Sequence, residues 1–148
     1  MAFEIGTDGI GGLAVGFDGS DPSRDALAFS AGVARRNAGT LTVVYVIATG
    51  AEGVAVLAPG AAAVIGASER ETVERMRGEV EQALVGLEVH WDFVSGRGDP
   101  AAVLEEVAAA RRLDAIVVGR SRSRMHRRVG SIPARLMRTA QRPIAVVP

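Results

Sequence analysis

The chain has 148 residues, no net formal charge and no cysteine. That length suits one domain with a real core, and the missing thiols exclude disulfides, thiol catalysis and cysteine-ligated zinc. All 17 basic residues are arginine, so a P-loop lysine, a Schiff base and a pyridoxal-type site are excluded as well.

Nearly half the residues are apolar, mostly small, with few aromatics. This composition fits helices packed closely on a parallel sheet. No apolar run approaches the ~20 residues of a membrane helix. Residues 1–11 read as a flexible leader that carries Glu4 and Asp8 and no basic n-region, so a signal peptide is not expected. The expectation is a cytoplasmic protein with one domain over 12–148.

The first strand is predicted at Gly12–Phe17, and it runs into Asp18-Gly-Ser-Asp-Pro22. Ser20 or Asp21 can cap a helix, and Pro22 suits its first turn. Ala26, Phe29, Val33 and Ala34 recur at helical spacing to about Asn37. Thr40–Ile47 is the second strand. Residues 48–66 form a long Gly- and Ala-rich connection. A helix is then expected from Ser68, with Glu71 completing a capping box and Val73, Met76, Val80 and Leu84 on one face.

Val89, Trp91 and Phe93 alternate with His90 and Asp92, which predicts a half-exposed edge strand. Asp99-Pro100 opens the third helix, with Val103, Leu104 and Val107 inward. Asp114–Gly119 is a buried type of strand. An arginine- and serine-rich loop follows, then a helix begun by Gly130-Ser-Ile-Pro133. Pro143–Pro148 gives the last strand.

Alternating strands and helices predict right-handed crossovers and a three-layer α/β/α sandwich. The expected architecture is a five-stranded parallel sheet of order 3-2-1-4-5. Its topological switch point lies between strands one and four, where open α/β sheets bind ligands. The last strand is apolar on both faces at an edge, so it is expected to pair with a second copy.

Charge is distributed unevenly. Residues 1–110 carry 7 Arg against 16 acids, and residues 111–148 carry 10 Arg against Asp114 alone. The basic third surrounds the segment Gly119-Arg-Ser-Arg-Ser-Arg-Met-His-Arg-Arg-Val-Gly-Ser131. Gly119 permits a tight turn or a close approach. Gly130-Ser131 stands at a helix start, which attracts phosphate. Arg120, Arg122, Arg124, Arg127 and His126 supply donors for phosphate oxygens. The same features also suit a plain turn, an N-cap and a solvated loop.

Other chemistries are weaker. His90 and His126 offer no metal-ligand spacing, and no metal site is expected beyond an Asp18 contact to Mg²⁺ beside phosphates. Ser121, His126 and Asp18 lack the second glycine of a nucleophile elbow. The loop has no aromatics for base stacking, which argues against nucleic acid.

The segments Val15-Gly-Phe-Asp-Gly-Ser20, Tyr45-Val46, Gly98-Asp-Pro100, Ile116-Val-Val-Gly119, Gly130-Ser131 and Arg142-Pro-Ile-Ala-Val-Val147 resemble the universal stress protein family. The resemblance runs from Leu13 to Val147. It implies an adenine nucleotide alpha hydrolase-like, Rossmann-like fold and dimerisation through the last strand. One branch of that family binds ATP through Gly-x2-Gly-x9-Gly-Ser/Thr. Here Gly119 and Gly130-Ser131 match that motif. Arg122 occupies the second glycine's place, and seven residues separate it from Gly130.

By the same resemblance, Asp18 is the first-strand acid near the nucleotide, and the Val46 backbone meets the adenine. Gly119 and Gly130 contact phosphate and ribose, and the Ser131 hydroxyl contacts phosphate. The implied ligand is ATP, ADP or AMP with Mg²⁺, in a stress-response domain with at most slow, incidental hydrolysis. The alternative is a homodimeric adaptor that binds no nucleotide and whose arginine loop meets an anionic partner or small anion.

Overall fold

A computed structural model describes the fold of residues 9–47 and 61–120 and of residues 131–148. Five strands form one parallel sheet: β1 (Gly12–Gly16), β2 (Thr40–Ile47), β3 (His90–Arg97), β4 (Ala115–Gly119) and β5 (Ile144–Val147). The order is β3-β2-β1-β4-β5, as the alternation of elements predicts. Four helices connect them among the described residues: α1 (Asp21–Arg36), α2 (Ala61–Leu84), α3 (Pro100–Ala110) and α4 (Ile132–Thr139).

The central strands are buried on both sides because helices cover both faces. Leu13, Val15, Val43 and Val117 face α1 and α2 in one core layer. Ala14, Val44, Ile116 and Val118 face the opposite layer, with Leu104 of α3 and Leu136 of α4. Alternation along each strand sends successive side chains to opposite layers. β3 is half exposed, with only Phe93 fully buried, as its polar alternation requires of an edge.

The helix starts follow one chemical pattern. Ser20, Asp99 and Ser131 each cap a helix with the side-chain oxygen, accepting from the amides of Ser23, Ala102 and Ala134. Each cap is followed within two residues by proline, whose fixed φ suits a first turn. α2 is the correction. The Ser68–Glu71 pair does not start it, since the helix already runs from Ala61. The alanine-rich stretch 61–67 has high intrinsic helix propensity and carries the helix upstream of the box. Within the helix, the Ser68 carbonyl accepts from the Thr72 hydroxyl at 3.0 Å. Residues 61–66 thus belong to α2 rather than to the predicted connection.

Several long-range contacts pin the strand ends. The Asp114 carboxylate accepts from the amides of Gly11 and Gly12 at 2.7 and 2.8 Å, which ties the start of β1 to that of β4. No described helix is long and apolar enough to cross a membrane.

Candidate functional site at the carboxyl ends of the strands

β1 and β4 run side by side, with Val15 opposite Val117. Their carboxyl ends therefore bring the turn at Phe17-Asp18 next to Gly119. From β1 the chain leaves toward α1 on one face. From β4 it leaves toward α4 on the other. This divergence opens the switch point.

Asp18 sits at the mouth of that opening and is exposed. Its carboxylate accepts from the Ser20 amide at 2.9 Å and from the Ser20 hydroxyl at 2.5 Å. This is an Asx-type turn, and it needs Gly19 at φ +80°. Ser23 closes the ring, its amide donating to the Ser20 hydroxyl oxygen and its own hydroxyl donating to the Ser20 carbonyl. Partial burial pushes the Asp18 carboxyl up. The Ser20 hydroxyl and amide and the Ser23 hydroxyl outweigh it and hold the group below the usual carboxylate range. Asp18 is a fixed negative charge at neutral pH.

Val46 lies two residues beyond the point where β1 stops pairing with β2. The Phe17 amide donates to the Val44 carbonyl at 2.9 Å, so Val44 presents its polar backbone to β1. Residues alternate along a strand, so Val46 presents its N–H and C=O to the same side. Ile47 confirms the register from the other side, because its carbonyl accepts from Gly98 beside β3. Among the described residues no strand lies opposite Val46 on the β1 side. One donor and one acceptor are thereby offered at the edge of the opening.

Gly119 ends β4 against the first turn of α1. A Cβ there would stand 2.2 Å from the Pro22 carbonyl oxygen and 2.4 Å from its carbon. This packing need accounts for glycine at 119 independently of any ligand. Next to it, exposed Arg120 keeps the sheet going, its amide donating to the Val147 carbonyl at 2.7 Å.

Ser131 is the N-cap of α4, and its hydroxyl oxygen accepts from the Ala134 amide at 3.3 Å. The hydroxyl proton is still available to a ligand. The α4 terminus is poor in amides, however. Pro133 has none, and that of Ala134 is taken by the cap. A phosphate here would rely on the Ser131 hydroxyl and on arginines more than on the helix end. Arg122, Arg124, His126, Arg127 and Gly130 lie outside the described residues.

Sequence reading missed two neighbours of this site. Arg135 of α4 forms an ion pair with Asp99, the cap of α3, which ties two helix starts together. Arg97 forms a two-pronged pair with Glu69 of α2. That pair borders a groove of about 530 Å³ at the ends of β2 and β3, lined also by Ile47, Val73 and Ser95. The paired partners stand 28 or more residues apart, and no local pattern announces them. Among the described residues no cluster of three metal-ligating groups occurs.

No curated protein matches the sequence. Solved structures do. One is a universal stress protein in complex with cAMP, at 21% identity over 95% of this chain and 98% of that one, with a TM-score of 0.66. Another is universal stress protein UspA from Lactobacillus plantarum, at 21% identity over 93% and 97%, with a TM-score of 0.73. A third is the universal stress protein from Archaeoglobus fulgidus in complex with dAMP, at 16% identity over 92% and 96%, with a TM-score of 0.67. These likenesses show a shared fold, the adenine nucleotide alpha hydrolase-like form of the α/β/α sandwich. The family model for the universal stress protein family matches residues 13–148, and with it the chain belongs to that family.

Proposed function

We propose that the domain binds an adenine nucleotide at the carboxyl ends of β1, β2 and β4, and that it acts as a nucleotide-responsive regulatory homodimer in a stress response. The observation that carries this reading is the backbone N–H and C=O of Val46, which no described strand pairs on the β1 side. An N–H and a C=O on one strand edge match the donor and acceptor of an adenine edge. The complexes of similar structures with cAMP and dAMP support the ligand class.

In this reading Ser131 donates to a phosphate, and Gly130 gives the chain room beside it. Arg120, Arg122, Arg124, Arg127 and His126 supply the charge that a glycine-rich loop supplies through amides. Asp18, held ionised, would repel a bare phosphate. It accepts instead from a ribose hydroxyl or from water on a phosphate-bound Mg²⁺. A carboxylate with a lowered pKa is a weak general base, so turnover is not its task. The test is to denature freshly purified protein and identify what it releases. Stoichiometric ATP, ADP or AMP supports the reading. An empty protein that also ignores added nucleotide sends the search to an anionic partner of the arginine loop.

The second copy is proposed to dock on β5. This strand closes the sheet, and three large apolar side chains stand exposed around it: Val146 on β5 (42%), Met137 on α4 (75%) and Phe29 on α1 (46%). Phe29 lies on the flank of α1 away from α2, which is the flank toward β5. An apolar edge strand of this kind is a pairing surface. Val146→Glu is expected to leave a monomer in sedimentation equilibrium with its helical circular dichroism intact. A variant that remains dimeric would refute the β5 interface.

A further inference from the structure

We propose that the groove between α1 and α2, on the opposite flank of α1 from β5, is a second binding site, and that its ligand is a small amphipathic carboxylate of the fatty-acid class. The groove holds about 340 Å³, within the range of small-molecule sites. Its floor is apolar, made by Phe17, Leu27 and Leu84. The space between the helices is left unfilled because the facing side chains are small. Ala28, Ala31 and Gly32 on α1 stand across from Ala83 on α2. Leu87 lies at the mouth and is 44% exposed.

Polar groups occur only at the two ends. At one end Arg24 spans the helices to Glu79 at 2.9 Å and closes the groove with a neutralised pair. At the other end stands Arg35, which makes no ion pair among the described residues. Residues 24, 28, 31 and 35 share one flank of α1, so the two ends are about 16 Å apart at 1.5 Å per residue. An apolar trough of that length with one unpaired cation at its open end complements a molecule with an apolar chain and a single anionic head. A polyanionic nucleotide has no such shape, and the trough meets the carboxyl ends of the strands only at its Phe17 and Glu79 end, running from there along α1 to Arg35.

The test titrates dodecanoate, below its micelle concentration, into the full chain by calorimetry. The expected result is one site per chain with micromolar affinity. Arg35→Gln is expected to weaken binding at least tenfold. Ala28→Trp, at an exposed helix position that overhangs the trough, is expected to abolish it without lowering the melting temperature. Should that variant misfold, Ala83→Trp fills the trough from the opposite wall. No heat of binding, or binding unchanged in a folded trough-filling variant, would overturn the proposal. So would equal affinity for dodecyltrimethylammonium, and so would self-association of the chain through this face in place of dodecanoate binding.

Discussion

Replacing Arg142 with methionine is expected to destabilise the fold by up to about 3 kcal/mol, the low end of the cost of stranding one half of a buried ion pair, because both partners keep some solvent access. Arg142 is 10% exposed and its partner Glu105 20%. Its guanidinium donates to the Glu105 carboxylate at 2.6 Å and to the Glu105 carbonyl at 3.2 Å. The pair fastens the turn before β5 to α3. Neither group is fully satisfied, because Arg142 Nε and Glu105 Oε2 are buried with no partner in the described structure. The attraction therefore offsets little more than the desolvation of the two charges. Removing both should restore what removing one takes away. Glu105→Leu with Arg142→Met is expected to recover most of the loss in urea denaturation followed by the fluorescence of Trp91, the sole tryptophan. A single variant that loses under ~1 kcal/mol would mean the pair is solvated.

Gly119→Ala is the second large effect. The added carbon would stand 2.2 Å from a backbone oxygen of α1, and Pro22 cannot rotate that oxygen aside as a side chain could. Overpacking of this kind costs 1–3 kcal/mol and at times more. The contact with backbone at both its oxygen and carbon places the expected loss at about 3 kcal/mol or above. The variant is also expected to displace the first turn of α1, with the Asp18–Ser20 turn beside it, and so to weaken nucleotide binding. Pro22→Ala should not rescue it, because the principal clash is with the Pro22 backbone. Wild-type stability in Gly119→Ala would show that the glycine serves a ligand alone.

Gly119 illustrates what sequence could and could not give. Its position at the end of an apolar run marks a turn or a close approach, yet the partner in that approach, Pro22, lies 97 positions earlier. Strand order was legible because hydrophobic runs, caps and prolines alternate cleanly, and because Trp91 and Phe93 alternate with polar neighbours. The start of α2 was not, since a capping box at Ser68 competes with alanine-rich residues upstream that are helical already. Charge was legible only as a total. The arginine excess of residues 111–148 pointed to an anionic ligand, but Arg111, Arg135 and Arg142 pair with Asp92, Asp99 and Glu105 from the acidic part. Part of the imbalance is thus resolved inside the fold, and among the described residues of this third only Arg112, Arg120 and Arg138 are left without an acidic partner.

The site itself divides in the same way. Asp18 and Ser131 stood out through turn and cap chemistry that is local in sequence. Val46 gained its significance from register, since the early turn of β1 at Asp18 leaves its N–H and C=O without a strand partner among the described residues. That gap depends on two strands of different length and cannot be read from either one.

The most direct measurement is a calorimetric titration of ATP with Mg²⁺ into nucleotide-free protein, wild type beside Ser131→Gly. Glycine keeps most of the N-cap stability, within a few tenths of a kcal/mol, while it removes the hydroxyl. A nucleotide site that uses the Ser131 hydroxyl predicts one bound ATP per chain in the wild type. It predicts affinity about tenfold weaker in the variant, equivalent to ~1.4 kcal/mol for one hydrogen bond to a charged oxygen. Wild-type protein that takes up no ATP, ADP or AMP, or a folded variant that binds as tightly as the wild type, would contradict it.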